Sequence, residues 1–537
     1  MSKGKVQTDT NSKTTLSIPN DDLASWAKLN QDLSVPFVHK LQTKDKKYIY
    51  DVNTSRILQV APVVWNIIDD FGRMNKDEIV SKYSPIYEIN NILLAYNTIS
   101  KFQQQDGLLL ARHPKYIKMP YDEKTIRKIL TSKLKILILC ITNACNFRCS
   151  YCIYSGRYTD YRCHSNTMMS WNVAQRAIDY FLCHSKDSEC RWISFYGGEP
   201  LLNASLMRRC INYAQQKGGK DNISFTFTTN GYLLKDDIAE FLASKEISIV
   251  VSLDGPANIH DRNRRLSNGG PTWQQVVDNL RTFLKKYPEY KKNHKMSINV
   301  VLAPPTNVLE IQEFFNNCDF LTEHINVTVN SLSNLDSTYM ETLAPGSRQV
   351  AGKDDLYKEF VTNLENGLVN KHPKAVHLKI QTALFQRSFV DLYKRGCSTA
   401  AHPYIPDYFC PLSTCIPGSR RLCTSVDGQF YVCERVPQVE EMKIGDVYQG
   451  IDISKARELL EKFVSFGKDD CKFCWCVSNC KADCFGAILK NGRLSKELRR
   501  RICAIYRRAT HHTMSDICRI LEKNPRALDY MEEIIIS

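Results

Sequence analysis

The apolar positions change period along the chain. From Val38 to Val60 they come in short runs: Val38-His39-Lys40-Leu41-Gln42-Thr43, Lys47-Tyr48-Ile49-Tyr50-Asp51 and Arg56-Ile57-Leu58-Gln59-Val60. These predict three strands, with a turn at Asn53-Thr54. The period then turns helical. Val63, Val64, Ile67 and Ile68 share one face, Asn75 is placed to cap a helix over 76–82, and Ile89, Ile92, Leu93, Tyr96 and Ile99 space a longer helix ending near Gly107. From Leu134 strand and helix patterns alternate. Apolar runs predict strands at 134–141, 192–196, 223–228, 247–253, 296–302 and 325–329. Ser170 heads a helix with Val173, Ala174, Ala177, Ile178, Phe181 and Leu182 inward, and further helices fall near 204–217, 235–245, 273–287 and 308–317. Six strand–helix units at most are too few for a closed eight-fold barrel and suit an open, partial one; a doubly wound sheet is the alternative.

Composition narrows the class. At 537 residues the chain has room for several domains. No apolar run reaches the roughly 20 residues that span a bilayer, and residues 1–32 are polar, read as a disordered tail with no export signal. Twenty-one cysteines in such a chain point to metal and a reducing, cytoplasmic setting. The formal charge of +15 admits nucleic acid, but the basic residues are scattered. The helix over 87–105 carries one Lys and no Arg, poor for phosphate contacts. An acidic peptide partner is the sharper reading of the charge.

The candidate chemistry centres on Cys145-Asn146-Phe147-Arg148-Cys149-Ser150-Tyr151-Cys152, just after the first strand of the alternating region. Three thiolates at that spacing can hold three irons of a four-iron cube and leave the fourth open. Structural zinc closes with four ligands, and the nearest spares, Cys163 and His164, lie past Tyr158-Thr159-Asp160. Gly197-Gly198-Glu199-Pro200 follows the second strand; paired glycines let backbone approach a ligand, and Glu199 can accept from an ammonium group. Thr228-Thr229-Asn230-Gly231 and Ser252-Leu253-Asp254-Gly255-Pro256 end the next two strands, and Asn230 and Asp254 read as turn formers. His260 reads as structural.

C-x3-C-x2-C with an aromatic residue before its last cysteine resembles the signature of radical S-adenosylmethionine (SAM) enzymes, over residues 134–503. The resemblance implies a 4Fe–4S cluster on Cys145, Cys149 and Cys152, with SAM chelated to the open iron and cleaved to a 5′-deoxyadenosyl radical. It implies that SAM is bound by Tyr151, Gly197, Gly198, Glu199, Pro200 and Asn230, with Ser252 and Arg264 on its carboxylate.

Eleven cysteines lie between Cys397 and Cys503. Cys415-x12-Gly428-x4-Cys433, then Cys471-x2-Cys474-x5-Cys480-x3-Cys484 and Cys503, suit two zinc ribbons or two iron–sulfur clusters. The spacing resembles the SPASM extension of radical SAM maturases. That implies one auxiliary cluster on Cys415, Cys423, Cys433 and Cys484, and another on Cys471, Cys474, Cys480 and Cys503, for three 4Fe–4S clusters in all. Cys397, Cys410 and Cys476 are left over. An auxiliary cluster can accept the electron that an oxidative crosslink releases.

The three strands and three helices of residues 33–113 resemble the winged-helix leader-recognition domain of ribosomal-peptide maturases, in which a leader peptide adds a strand to a sheet edge. The expected organisation is therefore a tail (1–32), a winged-helix α+β domain (33–113), a basic linker (114–132), a partial (β/α)6 barrel (133–345), a bridge (346–390), a SPASM domain (391–510) and a helical tail (511–537). The expected activity is radical modification of a precursor peptide, with a flavodoxin- or ferredoxin-like reductant. Cys415-Ile416-Pro417-Gly418-Ser419-Arg420-Arg421-Leu422 and Cys433-Glu434-Arg435 resemble thioether-forming maturases, so a sulfur-to-carbon link leads. Carbon–carbon crosslinking, other oxidation, a formylglycine-forming sulfatase maturase and a redox-sensing nucleic-acid regulator are the alternatives. No catalytic base is identifiable.

Overall fold

The computed structural model describes residues 34–219, 222–332, 338–371, 375–394, 404–410, 415–482 and 484–534. The expected tail at 1–32 and Cys397 lie outside them.

The N-terminal part is a three-stranded antiparallel sheet, β1 (Val38–Gln42), β2 (Lys47–Asp51) and β3 (Arg56–Val60), in that order. Helices α1 (Pro62–Ile67), α2 (Lys76–Tyr83) and α3 (Ile89–Gln104) follow. The Asn75 side chain accepts from the Glu78 amide at 3.0 Å while the Asn75 amide donates to Glu78 at 2.7 Å, a reciprocal cap. Ile49, Val64, Ile67, Ile92 and Ile99 form a separate small core.

The basic stretch 114–132 is more than a linker. Tyr116–Ile117 pairs with Tyr408–Phe409, and α4 (Glu123–Ser132) is capped by Asp122. Ile126 and Leu130, one turn apart, bury its apolar stripe.

Six parallel strands follow: β4 (Ile136–Thr142), β5 (Trp192–Gly197), β6 (Ser224–Thr229), β7 (Ser248–Ser252), β8 (Met296–Leu302) and β9 (Asn326–Ser331). Their connections are α5 (Trp171–Cys183), α6 (Ala204–Gly218), α7 (Asp236–Ser244), α8 (Ala257–Asn263) with α9 (Trp273–Lys286), and α10 (Val308–Asn316). Their burial decides between the two sheet architectures. In β5 and β8 alternate residues are fully buried and half-exposed, so helices cover one face and leave the other open. A doubly wound sheet is covered on both faces. The open face is the concave side of a partial barrel.

On its other flank β4 pairs in parallel with β10 (Leu422–Thr424), which starts an antiparallel run through β11 (Gln429–Tyr431), β12 (Lys443–Asp446) and β13 (Gly450–Ile451). The barrel and the cysteine-rich region therefore share one ten-stranded sheet. After α11 (Ile453–Ser465), the last long element is α12 (Lys496–Lys523), 28 residues without a break across the expected boundary at 510. Thr513, Met514, Ile517, Cys518 and Ile520 bury its second half, so no separate tail helix exists there.

Candidate functional site

The cysteine loop starts where β4 ends, at the carboxyl edge of the sheet. Cys145, Cys149 and Cys152 are each partly buried. Backbone amides aim at two of the sulfurs: Phe147 N lies 3.4 Å from Cys145 Sγ, and Tyr154 N 3.4 Å from Cys152 Sγ. The loop is zipped to the end of α8 and the segment after it by Arg148 N to Arg265 O at 2.8 Å, Ser150 N to Asn263 O at 3.0 Å and Ser267 N to Asn146 O at 2.9 Å. Burial pushes the Cys145 thiol up to about 12, with Glu199 and Cys152 adding to the rise. Burial also raises Cys149, against the Arg264 cation, and raises Cys152. Thiolates in this site need positive charge to be stable. A cationic iron cluster supplies it, and the amides aimed at sulfur suit thiolate ligands. The residues fit the cluster.

The glycines of the Gly-Gly-Glu-Pro turn serve a contact different from the one read in the sequence. Gly198 N donates to Thr142 O at 2.9 Å and Glu199 N to Ala144 O at 2.8 Å. A Cβ on Gly197, whose φ is +130°, would stand 2.1 Å from Thr142 O, and one on Gly198 2.0 Å from Ala144 O. The close approach is thus to the root of the cysteine loop. It fixes Glu199, only 1% exposed. Glu199 Oε1 accepts from Thr229 Oγ1 at 2.8 Å and Leu201 N at 3.1 Å, and Oε2 from Asn230 N at 2.7 Å. Burial raises this carboxyl to about 7 against those bonds. Pro200, buried, opens the short turn that follows.

Asn230 and Asp254 do more than turn the chain. Asn230 Nδ2 donates to Asn146 Oδ1 at 2.7 Å and lies 4.0 Å from Cys145 Sγ. Asp254, 1% exposed, takes Arg264 Nε at 2.9 Å, Val301 N at 3.0 Å and the Tyr151 hydroxyl. The Arg264–Asp254 pair is buried beside Cys149. Ser252, also buried, ends β7 two residues before it. Sequence reasoning missed Asp254 as this hub because Asp-Gly-Pro also spells a turn. His260 is structural: its Nδ1 accepts from Asp254 N at 3.4 Å, its Nε2 lies 3.2 Å from Thr272 Oγ1, and burial with the Arg264 charge lowers it to about 4.

In the C-terminal region Cys474, Cys480 and Cys503 lie close enough to Cys471 to raise its thiol further after burial has done so. Arg499 of α12 sits among them, Nη2 3.9 Å from Cys471 Sγ and Nη1 2.9 Å from Phe463 O. Cys433 is pushed up to about 12 by burial, then by Glu434 and Cys484. Cys415 is exposed. Cys423 is buried where β10 pairs with β4, 3.7 Å from Cys140 Sγ, with Cys433 near enough to raise its thiol further. Cys476 is buried with its sulfur 3.5 Å from Thr510 Oγ1. Among the described residues no three His, Cys, Asp or Glu side chains surround a single-ion position, and no helix is long and apolar enough to cross a membrane.

A profile of the Radical SAM superfamily matches residues 139–318. The radical SAM cyclopropyl synthase TigE of Paramaledivibacter caminithermalis is 23% identical over 461 residues, 81% of this chain and 82% of that one. The Cys-type anaerobic sulfatase-maturating enzyme of Clostridium perfringens strain 13 is 27% identical over 238 residues, 43% of this chain and 59% of that one. For other curated relatives the match spans about half of their length. The solved structure of native anSMEcpe with bound AdoMet covers 75% of this chain and 100% of its own, at 20% identity and a TM-score of 0.50, a likeness of fold.

Proposed function

With a radical SAM domain at residues 139–318 as the premise, we propose that this chain modifies a ribosomally made precursor peptide by radical chemistry, forming an oxidative sulfur-to-carbon thioether link. The observation that carries the radical part is the docking of Glu199 and Asn230 onto the root of the Cys145–Cys152 loop. It puts the buried Glu199 carboxyl beside the loop whose three thiols would hold the cluster. Bound there, the cluster and SAM supply a 5′-deoxyadenosyl radical. Cys145, Cys149 and Cys152 hold the cluster. Glu199 accepts from the SAM ammonium, while Ser252 and Arg264 hold its carboxylate. Asp254 fixes the guanidinium through Nε and leaves its terminal nitrogens to bind. Cys471, Cys474, Cys480 and Cys503 hold one auxiliary cluster. Cys415, Cys433 and Cys484 hold the other.

The small N-terminal sheet takes the leader as an added strand. Among the described residues β3 pairs only with β2, and β1 lies against α12, so β3 is the edge that receives it. The long match to a cyclopropyl synthase supports a second reading, a carbon–carbon bond.

The test is anaerobic turnover with dithionite, SAM and a short cysteine-rich peptide encoded beside this gene. A thioether removes two hydrogens per link and leaves the linked thiol resistant to iodoacetamide. A two-hydrogen loss with every thiol still alkylated favours the carbon–carbon reading, a formylglycine product favours sulfatase maturation, and an unchanged mass favours epimerisation. Absence of 5′-deoxyadenosine above a Cys149→Ala control overturns the proposal.

A further inference from the structure

The stretch between Cys471 and Cys480 is held by residues more than 350 positions upstream. The His39 ring, on β1, stacks on Trp475 with centroids 3.6 Å apart and planes 3° off parallel. His39 Nε2 also lies 2.8 Å from His511 Nδ1 on α12. On β2, the Tyr50 hydroxyl accepts from Asn479 Nδ2 at 2.6 Å. Ser478 Oγ reaches Val52 O at 3.4 Å, and His113 Nδ1 reaches the Lys472 carbonyl at 3.1 Å. His39 and Trp475 are almost fully buried. Trp475 sits directly between Cys474 and Cys476, so a shift of its ring moves the backbone that aims Cys474.

We propose that His39 and Tyr50 are positioning residues for the Cys471–Cys480 loop, so that the small sheet and the second auxiliary cluster form one conformational unit. The inference rests on reading Cys471, Cys474, Cys480 and Cys503 as cluster ligands. Whatever orders the loop orders β1 and β2, and by reciprocity whatever orders those strands stabilises the loop. A leader added at β3 is bound two strands away from this junction. Leader occupancy therefore tightens the geometry of the second cluster, and the electron acceptor is set best when a substrate is held.

The experiment needs no substrate. Full-length reconstituted wild type, Cys480→Ala and Cys149→Ala are compared by iron content and by backbone hydrogen exchange. In Cys480→Ala, exchange over 38–42 and 47–52 is expected to rise at least tenfold, with no rise there in Cys149→Ala. From the other side, His39→Ala is expected to lose iron or alter the electron-spin-resonance signal of the second cluster. His39→Phe, which keeps a ring on Trp475, retains most of both. If Cys480→Ala loses iron and the strands exchange as in wild type, the coupling is wrong while the ligand reading stands. If its iron is unchanged, the loop holds no cluster and both fall. Equal exchange in the two cysteine variants also overturns the coupling.

Discussion

Cys145, Cys149 and Cys152 fall within eight residues, on a loop that one sheet edge presents and that Gly198, Asn230 and Asn263 grip through their backbones or amides. The C-terminal thiols are gathered from Cys415 to Cys503, and a 28-residue helix delivers the last of them with Arg499. The first site is a compact loop locked by backbone bonds to the neighbouring strand ends. The second is assembled by tertiary packing, part of it from the N-terminal sheet. A site of the first kind tolerates distant change and fails when one of its own atoms moves. A site of the second kind is sensitive at a distance and more forgiving close by.

The largest effect is expected where the comparison is simplest to break. Cys149→Ala should reduce 5′-deoxyadenosine release, with dithionite and no peptide, to background. Cys480→Ala should keep it within about threefold of the parent, because the bonds that hold the Cys145–Cys152 loop come from strand ends and α8 rather than from the Cys471–Cys480 loop. Loss of 5′-deoxyadenosine in both variants would mean that the two sites are one cooperative structure.

The next contrast concerns charge. Asp254→Asn leaves Arg264 buried without its counter-ion, and removing one partner of a buried pair costs about 3–5 kcal/mol. At the auxiliary site the Arg500–Asp470 pair has side chains 59% and 48% exposed, so Asp470→Asn should cost no more than about 1 kcal/mol. Urea unfolding of the two variants measures the difference. Similar costs would show that the Asp254 hub is solvated or paired elsewhere.

These contrasts also explain what was legible beforehand. The cysteine loop, the six strands and the helix periods could be read because each is encoded within a few neighbouring residues. The Gly197-Gly198 pair was recognised but its partner was not, since the Ala144 carbonyl comes from another strand end. Asp254 reads as a turn former, because its buried ion pair with Arg264 and its hydrogen bond from Tyr151 leave no mark on local pattern. Basic residues on the open face of α4 hid its Ile126–Leu130 stripe. The contact of Cys423 with Cys140 across the β4–β10 pairing cannot be read from cysteine spacing.

Glycine substitution sharpens the same distinction at smaller amplitude. A Cβ at position 198 meets rigid backbone at 2.0 Å, while one at 467 meets the buried side-chain atoms Cys471 Sγ at 2.6 Å and Arg499 Nη2 at 2.7 Å. Gly198→Ala should cost about 1–3 kcal/mol, as overpacking does, and weaken SAM binding measured by calorimetry. Gly467→Ala should push Cys471 aside, lower iron retention and leave SAM binding unchanged. Weaker SAM binding in Gly467→Ala as well would mean that the two sites do not respond separately.

The smallest effect is a pH dependence of the first site. Glu199 titrates near 7 when SAM is absent, raised from 4.5 chiefly by burial. Between those values the unfolded chain has already released this proton and the folded chain still holds it. The folded state binds more protons, so the group's contribution to stability falls as pH rises from 4.5 to 7 and is level above. SAM binding runs the opposite way, because its ammonium favours the ionised carboxylate. The ionised share grows about tenfold from pH 6 to pH 8 for a group titrating near 7. SAM affinity should therefore rise by up to about that factor and then flatten, and Glu199→Gln should remove the slope. SAM affinity of the Glu199→Gln variant over the same pH range serves as the internal reference. A SAM affinity that is flat across this window, with the Glu199→Gln variant matching the parent, would detach Glu199 from the ammonium and leave it as a brace for β6 alone.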